Sequence, residues 1–324
     1  MSNDLKNLEW IRKRETECER IVREGVLPVD FFKPETICDF YVDENRKKIW
    51  GILLDLLVKF DAICKKYDLK YSLAFGSLLG AVRHHGFIPW DDDMDVCMPR
   101  ADYERFIELA PKELGEPYFL QIPGKDHGYY YSWAKLRNSR TTGLSYKFMH
   151  AGFNQGQYLD IFVIDNALLD TYEQDYNQVK QLILENSANM LRLIPKPTEN
   201  DLARMCQFEY RDPLLVLKEM NTICRKYETM NTEYVMVSAL SIYPAKSLIY
   251  KKTDIEEVIN VNLYGYDFYV LKNYDIVLSC VYGDYMKFPP VNERGRWHES
   301  MLYNADVPYT EKIKELTKED NKLS

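Results

Sequence analysis

No apolar stretch in this chain approaches the roughly 20 residues needed to cross a bilayer. The richest, Ile52 to Val58, is short and lies among charges, so a transmembrane helix is not expected. Residues Met1 to Arg23 likewise lack the apolar run of roughly 7–15 residues that a secretory signal carries. The expected compartment is the cytoplasm. Closely spaced cysteine pairs are also missing: Cys18, Cys38, Cys64, Cys97, Cys206, Cys224 and Cys280 are scattered and odd in number. That pattern excludes a zinc ribbon or a redox pair and predicts reduced, mostly buried thiols. There is no excess of basic charge, since 42 Lys and Arg face 50 Asp and Glu for a net charge of −8. Duplex nucleic acid is excluded as a partner, because phosphate contacts need a concentrated basic surface. Lys65-Lys66 and Lys251-Lys252 read as solvated faces. Internal repeats and low-complexity segments are absent.

The chain has 324 residues, 46% of them hydrophobic and 14% aromatic, which suffices for one large core or two modest ones. Two helical patterns open it, Leu5 to Arg23 and Glu44 to Tyr67. The second repeats apolar residues at Ile49, Ile52, Leu53, Leu56, Leu57, Phe60 and Ile63, one buried stripe. A strand from Tyr71 to Phe75 then runs through Gly76-Ser77 into a helix from Leu78 to His84. Met94 to Met98 reads as a strand and Arg100 to Leu109 as a helix. Further strands are predicted at Tyr118 to Ile122, Ser132 to Arg137 and Gln157 to Ile164. Between Thr171 and Thr232 the pattern is helical, broken by Pro195, Pro197 and Pro213. Strands return over Val258 to Leu271, with a hairpin turn at Tyr264 to Asp267, followed by a helix from Tyr274 to Tyr282. Strands interspersed with helices give an α/β or α+β core.

The most informative segment is Gly76 to Val96, GSLLGAVRHHGFIPWDDDMDV. Asp91, Asp92, Asp93 and Asp95 crowd into five positions, and such crowding makes full ionisation costly unless a cation sits among them. If residues 93–96 are extended, Asp93 and Asp95 project to one face while Met94 and Val96 enter the core. Two convergent carboxylates suit magnesium, which keeps open positions for substrate phosphates. An acidic run is by default a solvated loop. Here Phe87, Ile88, Pro89 and Trp90 on one side and Val96 and Met98 on the other hold the acids against apolar surface, where unpaired charge is expensive.

The segment GSLLGAVRHHGFIPWDDDMDVCM resembles the signature of the LicD phosphorylcholine transferases, of the nucleotidyltransferase-fold superfamily. Leu159-Asp160-Ile161-Phe162 and Tyr282-Gly283-Asp284-Tyr285-Met286, with Pro289-Pro290, Arg294 and His298, resemble further blocks of that family. The matching blocks span Tyr71 to His298. The resemblance implies an α+β fold: a nucleotidyltransferase-like mixed sheet flanked by helices, with an inserted or appended helical subdomain. The expected divisions are N-terminal helices packing on the core (1–70), the catalytic core (71–170), the helical subdomain (171–245), C-terminal strands and a helix completing the site (246–310), and a frayed tail (311–324).

The resemblance further implies that Gly76 and Ser77 turn against the donor phosphates and that Asp93 and Asp95 hold Mg2+ or Mn2+. Asp160 would be the third carboxylate, as metal ligand or as base for the attacking hydroxyl; a strand-edge acid paired with Lys or Arg is the plain alternative. Arg83 and His84, less so His85, are candidates for the phosphates, and either could instead serve the helix end. Lys135 and Arg137 alternate on a strand and face one side, toward ligand or solvent. Arg294 and His298 are candidate active-site closers. A quaternary ammonium has no hydrogen to donate, so only aromatic faces and carboxylates recognise it. Trp90, Tyr129, Tyr130, Tyr131, Trp133 and Trp297 could form such a cage, although most of the 25 tyrosines must simply pack. The implied activity is transfer of phosphocholine from CDP-choline to a sugar hydroxyl of a teichoic acid, lipopolysaccharide or capsule precursor, releasing CMP. A lipid-linked oligosaccharide acceptor would bring the protein peripherally to the inner membrane face. Alternatives are transfer of ribitol- or glycerol-phosphate from a CDP-alditol, plain nucleotidyl transfer, and an inactive glycan-binding scaffold. The sequence carries no reading of oligomeric state.

Overall fold

The computed structural model describes residues 15–237, 242–295 and 301–323. Helix α1 (Glu17–Arg23) opens with a capping box: Thr16 Oγ1 accepts from the Glu19 N–H while the Glu19 carboxylate accepts from the Thr16 N–H. The rest of the helix expected from Leu5 lies outside the described residues. Two short strands, β1 (Glu35–Ile37) and β2 (Phe40–Val42), form a hairpin through Cys38 and Asp39, both at positive φ. Helix α2 (Glu44–Lys66) is capped by Asp43, which accepts from the Arg46 N–H. It buries the stripe that the spacing predicts.

The core follows in chain order as β3 (Ser72–Leu73), α3 (Phe75–Arg83), β4 (Asp95–Pro99), α4 (Arg100–Glu113), β5 (Tyr118–Gln121), β6 (Ala134–Asn138), β7 (Thr142–Ser145) and β8 (Gln157–Ala167). Strand β8 is the spine of a seven-stranded mixed sheet. It runs parallel to β4 and antiparallel to β6, so the two occupy its opposite edges; β3 extends the sheet beyond β4, and β5 extends it beyond β6. Ile161 and Leu159 of β8, Val96 of β4 and Leu136 of β6 are fully buried with α2 in the main core.

After β8 come α5 (Tyr172–Leu191), α6 (Glu199–Met205) and α7 (Pro213–Cys224). Pro213 stands at the start of α7, where its missing N–H is harmless, and Asp212 caps the Leu214 N–H. Val179 and Leu182 of α5 close a small core with Val216, Met220 and Cys224 of α7. The chain then returns to the sheet as β9 (Tyr234–Met236), paired with the end of β8, and β10 (Ile249–Lys251). A hairpin, β11 (Val258–Leu263) and β12 (Tyr266–Leu271), turns through Tyr264 and Gly265, both at positive φ as a two-residue turn requires. Helix α8 (Tyr274–Tyr282) follows, and β13 (Met301–Asn304) pairs with β7.

The architecture is a mixed α+β sheet core flanked by helices with additional helical elements. Several details depart from expectation. Helix α3 begins at Phe75 rather than Leu78, and the segment expected to fray beyond 310 forms helix α9 (Tyr309–Leu323), anchored where the Tyr309 N–H donates to Thr141 O at 2.9 Å. Four cysteines are buried (Cys18, Cys64, Cys97, Cys224), three are exposed, and all are free thiols.

Candidate active site

The register of the sheet assembles the site. Asp95 of β4 pairs with Asp160 of β8, and Asp160 pairs with Lys135 of β6. Paired residues point to the same face, so two acids and one amine stand side by side at one level. Two residues along the strands, Tyr158 pairs with Arg137 on that same face; two residues the other way, Phe162 pairs with Cys97. In front of this face lies a cavity of about 960 Å³, lined by Asp91, Asp93, Asp95, Asp160, Lys135 and Arg137 among others.

Asp95 is buried, and its N–H donates to Ser77 Oγ at 2.8 Å, which ties the start of β4 to α3. Burial pushes its carboxyl well above the usual range, and the charges of Asp93, Asp160 and Asp91 push the same way against the pull of Lys135. Asp160 Oδ1 accepts from Lys135 Nζ and from Trp133 Nε1, the latter at 2.8 Å. Lys135 Nζ also lies 3.5 Å from the centre of the Tyr158 ring, and burial lowers its pKa to about 8, opposed by the Asp160 charge. Arg137 stacks over the same ring at 4.9 Å, donates to Gln121 Oε1 at 2.6 Å and to Gly156 O at 2.7 Å, and is held below its ordinary value by burial.

The acid loop is anchored from behind. Arg46 Nη1 and Trp50 Nε1 both donate to the Asp91 carbonyl, at 2.8 and 2.9 Å. A side chain on Gly76 would stand 2.8 Å from Asp91 Oδ2, so glycine there lets the carboxylate lie against the start of α3. Helix α3 has no side-chain cap, and Phe75 and Gly76 line the cavity.

The other expected site residues divide between the cavity wall and places away from it. Ser77 serves β4 through its hydroxyl and does not line the cavity. Arg83 lines it, with Nη1 donating to Tyr285 O at 2.6 Å and Nε to His84 Nε2 at 3.0 Å. His84 stacks on Phe288 behind that wall; burial, then Arg83 and Arg294, lower its pKa to about 4, so at neutral pH it is no cation for a phosphate. His85 sits in the following turn at φ 53°. The Arg294 guanidinium covers the Trp90 ring at 4.7 Å and donates to Pro289 O, so that ring face already holds a cation. Tyr129 is wholly buried in a satellite core with Phe153 and Met190, with Tyr130 packed against it, whereas Tyr131 and Trp133 line the cavity. Trp297 and His298 lie outside the described residues.

Five residues to which the sequence assigns no site role also face the cavity: Tyr158, Phe162, Phe75, Tyr243 and Tyr282. Tyr158 and Phe162 flank Asp160 at two-residue spacing and were within reach of strand alternation. Tyr282 opens the block Tyr282 to Met286 that the resemblance marks without giving it a role, whereas Tyr243 comes from a distant segment with no local signal. Among the described residues, no group of three or more His, Cys, Asp or Glu forms a ready-made metal cage.

Residues 68–190 match the domain family described as LicD/FKTN/FKRP, nucleotidyltransferase domain. The chain is 29% identical over 260 residues to the lipopolysaccharide cholinephosphotransferase LicD of Haemophilus influenzae, covering 78% of this chain and 95% of that protein. Shorter matches link it to uncharacterized proteins of Rickettsia typhi (40% over 65 residues; 19% of this chain, 21% of that one) and Rickettsia prowazekii (31% over 114 residues; 35% and 39%). The matched domain contains the whole acid face, from Gly76 through Asp95 to Asp160, and over that stretch the chain carries a nucleotidyltransferase domain of the LicD type.

Proposed function

We propose that the protein transfers phosphocholine from CDP-choline to a sugar hydroxyl of a cell-surface glycan precursor, releasing CMP. The observation that carries this reading is the pairing of Asp95 with Asp160 and of Asp160 with Lys135 at one level of the sheet, on a cavity that Asp93 also lines. The relative from Haemophilus influenzae, a lipopolysaccharide cholinephosphotransferase, supports phosphocholine as the transferred group and a glycan as acceptor.

The donor set fits magnesium, because it consists of hard carboxylate oxygens whose mutual repulsion, felt most at Asp95, a divalent cation would relieve. Asp93 and Asp95 would hold the ion, with Asp160 beside them. Such an ion would neutralise charge on the donor phosphates and on the departing CMP. Asp160 Oδ1 is already committed to Lys135 and Trp133, which favours a role as base for the attacking hydroxyl over that of a chelating ligand. The hydroxyl oxygen bonds to the phosphorus that bears choline, its proton passes to the Asp160 carboxylate, and the bond to the CMP oxygen breaks. Lys135 and Arg137 stand where they can balance the phosphate charge. A lipid-linked acceptor would be met at a membrane surface, since among the described residues no helix is long and apolar enough to cross one.

The test is incubation with CDP-choline labelled in the choline, magnesium and a panel of cell-envelope glycans. Free CMP with label retained on a glycan is the expected result. A nucleotide joined to the acceptor would replace this reading with plain nucleotidyl transfer. Absence of binding to CTP, CDP-choline, CDP-ribitol and CDP-glycerol alike would point to a scaffold.

A further inference from the structure

The cavity face changes character along the strands. At one end stand Arg137 and Tyr158, in the middle Lys135, Asp160 and Asp95, and at the other end Phe162. Paired rows lie about 6.5 to 7 Å apart, two residues of strand rise. Beyond Phe162 the rings continue without a break. Phe75 meets Phe162 edge-on with centroids 5.5 Å apart, and Tyr243 stacks on Phe75 at 5.3 Å and 13°. All three line the cavity.

Phe75 adopts φ 45°, a conformation that costs a bulky residue energy and persists only where its surroundings enforce it. Its ring sits between Phe162 and Tyr243. Tyr243 is held as well: its carbonyl accepts from the Tyr176 hydroxyl at 2.5 Å, and its own hydroxyl pairs with that of Tyr282 at 3.2 Å. With the hydroxyl so engaged, Tyr243 offers a ligand mainly its ring. The Tyr243 phenol is pushed up to about 12, first by burial and then by Asp95, Asp93 and Asp91, which places this corner in the field of the acids.

A linear donor with its phosphates at the acid level has two ways to lie. Arg137 would repel a cationic head at its end, and Lys135 in the middle row adds to that repulsion. Trp133 packs on Phe162 with centroids 5.2 Å apart, but its N–H is turned to Asp160 and Lys135 stands 5.7 Å from its ring, so its face is already shared with a cation. Arg83, the cation on the α3 side, is tied to the carbonyls of Tyr285 and Lys287 over the Phe288 ring. We infer that the wall of Phe162, Phe75 and Tyr243 seats a quaternary ammonium head group on the donor, with the nucleoside lying toward Arg137 and Tyr158. This inference rests on the phosphocholine reading above and adds a place and an orientation to it. Ring faces attract a trimethylammonium ion without needing a hydrogen from it, whereas a primary ammonium leaves its N–H groups unmatched there.

The experiment uses the full chain with magnesium and measures Kd by calorimetry for CDP-choline, CDP-ethanolamine and CMP, on wild type, Tyr243→Leu and Tyr243→Phe. The expected result is a wild-type preference for CDP-choline over CDP-ethanolamine that falls about tenfold in Tyr243→Leu, the scale of one lost cation–π face. CMP affinity should hold in both variants, and Tyr243→Phe should keep the preference. Should Tyr243→Leu melt far below wild type, Phe162→Leu is measured instead. Equal weakening of CMP and CDP-choline would assign the wall to the nucleoside, and an unchanged preference would show that it seats nothing; either overturns the inference while leaving the donor intact. A wild type that binds CDP-ribitol or CDP-glycerol but not CDP-choline overturns the donor reading itself, and the seat with it.

Discussion

At Asp95 nearly every influence opposes ionisation. Burial and then Asp93, Asp160 and Asp91 raise its pKa, and Lys135 alone among the main influences lowers it. A carboxyl whose pKa is raised on folding is neutral in both states at low pH, so nothing is lost there. As pH climbs past the ordinary carboxylate range near 4, the unfolded chain ionises freely while the folded one resists, and stability declines until the folded pKa is reached. Asp95→Asn keeps the shape and removes this conflict. Without divalent cations the variant should therefore melt above wild type at pH 7, by about 2 to 4 °C for each ~1 kcal/mol relieved, and the gap should close on acidification toward pH 4. Turnover should drop by about 100-fold or more. Magnesium should raise the melting temperature of wild type and not that of the variant. An Asp95→Asn protein that melts lower at pH 7 or retains turnover would remove Asp95 from the role assigned here.

At the scale of elements, the site depends on how closely α3 lies on the loop that delivers the acids. A side chain at Gly80 would stand 2.5 Å from Gly86 O and 3.3 Å from Ile88 N. In an exposed helix Gly→Ala stabilises by about 1 kcal/mol. Here the opposite sign is expected: Gly80→Ala must push the backbone at 86–88 away from α3 and should cost about 1 to 3 kcal/mol in urea denaturation. Because that backbone leads to Asp91, turnover should fall with it. A stabilised Gly80→Ala would mean that the loop gives way freely. Much of this unit was legible, because the run from Gly76 to Val96 holds turn, helix and acids in one contiguous stretch. The tight contact of Gly80 was not, since a glycine in a helical pattern does not announce its partner. Long strands such as β8 show their alternation, whereas β7, β9, β10 and β13 have only three or four residues each and no period to read. The pairing of β7 with β13 joins segments far apart in the chain, as does the meeting of Tyr243 with Phe75. Those contacts follow from tertiary packing and leave no local trace.

At the scale of the whole molecule, the sheet face opposite the acids is clamped by a buried ionic network. On β6, Lys135 and Arg137 face the cavity, so Leu136 and Asn138 face α2. Asn138 Nδ2 donates to Glu17 Oε2 at 2.8 Å, Arg20 Nε to the same oxygen at 2.9 Å, and Arg20 Nη2 to Asp55 Oδ2 at 2.5 Å. Tyr118 of β5 donates its hydroxyl to Asp55 as well, at 3.0 Å. One network thereby joins α1, α2, β5 and β6. The sequence held half of this clue: Asp55 is the single charge in the apolar run from Ile52 to Val58, and a lone acid amid apolar neighbours needs a partner if it is buried. Which partner it takes, 35 positions back in α1, only the fold reveals. Burial raises the Asp55 pKa despite Arg20, so removal of the arginine leaves an acid with no guanidinium to offset its desolvation. Arg20→Met should cost about 3 to 5 kcal/mol, the range found when one member of a buried pair is deleted. Adding Asp55→Leu should recover part of that loss, because the double variant no longer buries the orphaned charge. Denaturant unfolding of the two single variants and the double closes the cycle. A cost below about 1 kcal/mol for Arg20→Met, on the scale of a surface ion pair, would show that α1 rests on the core by apolar contact alone.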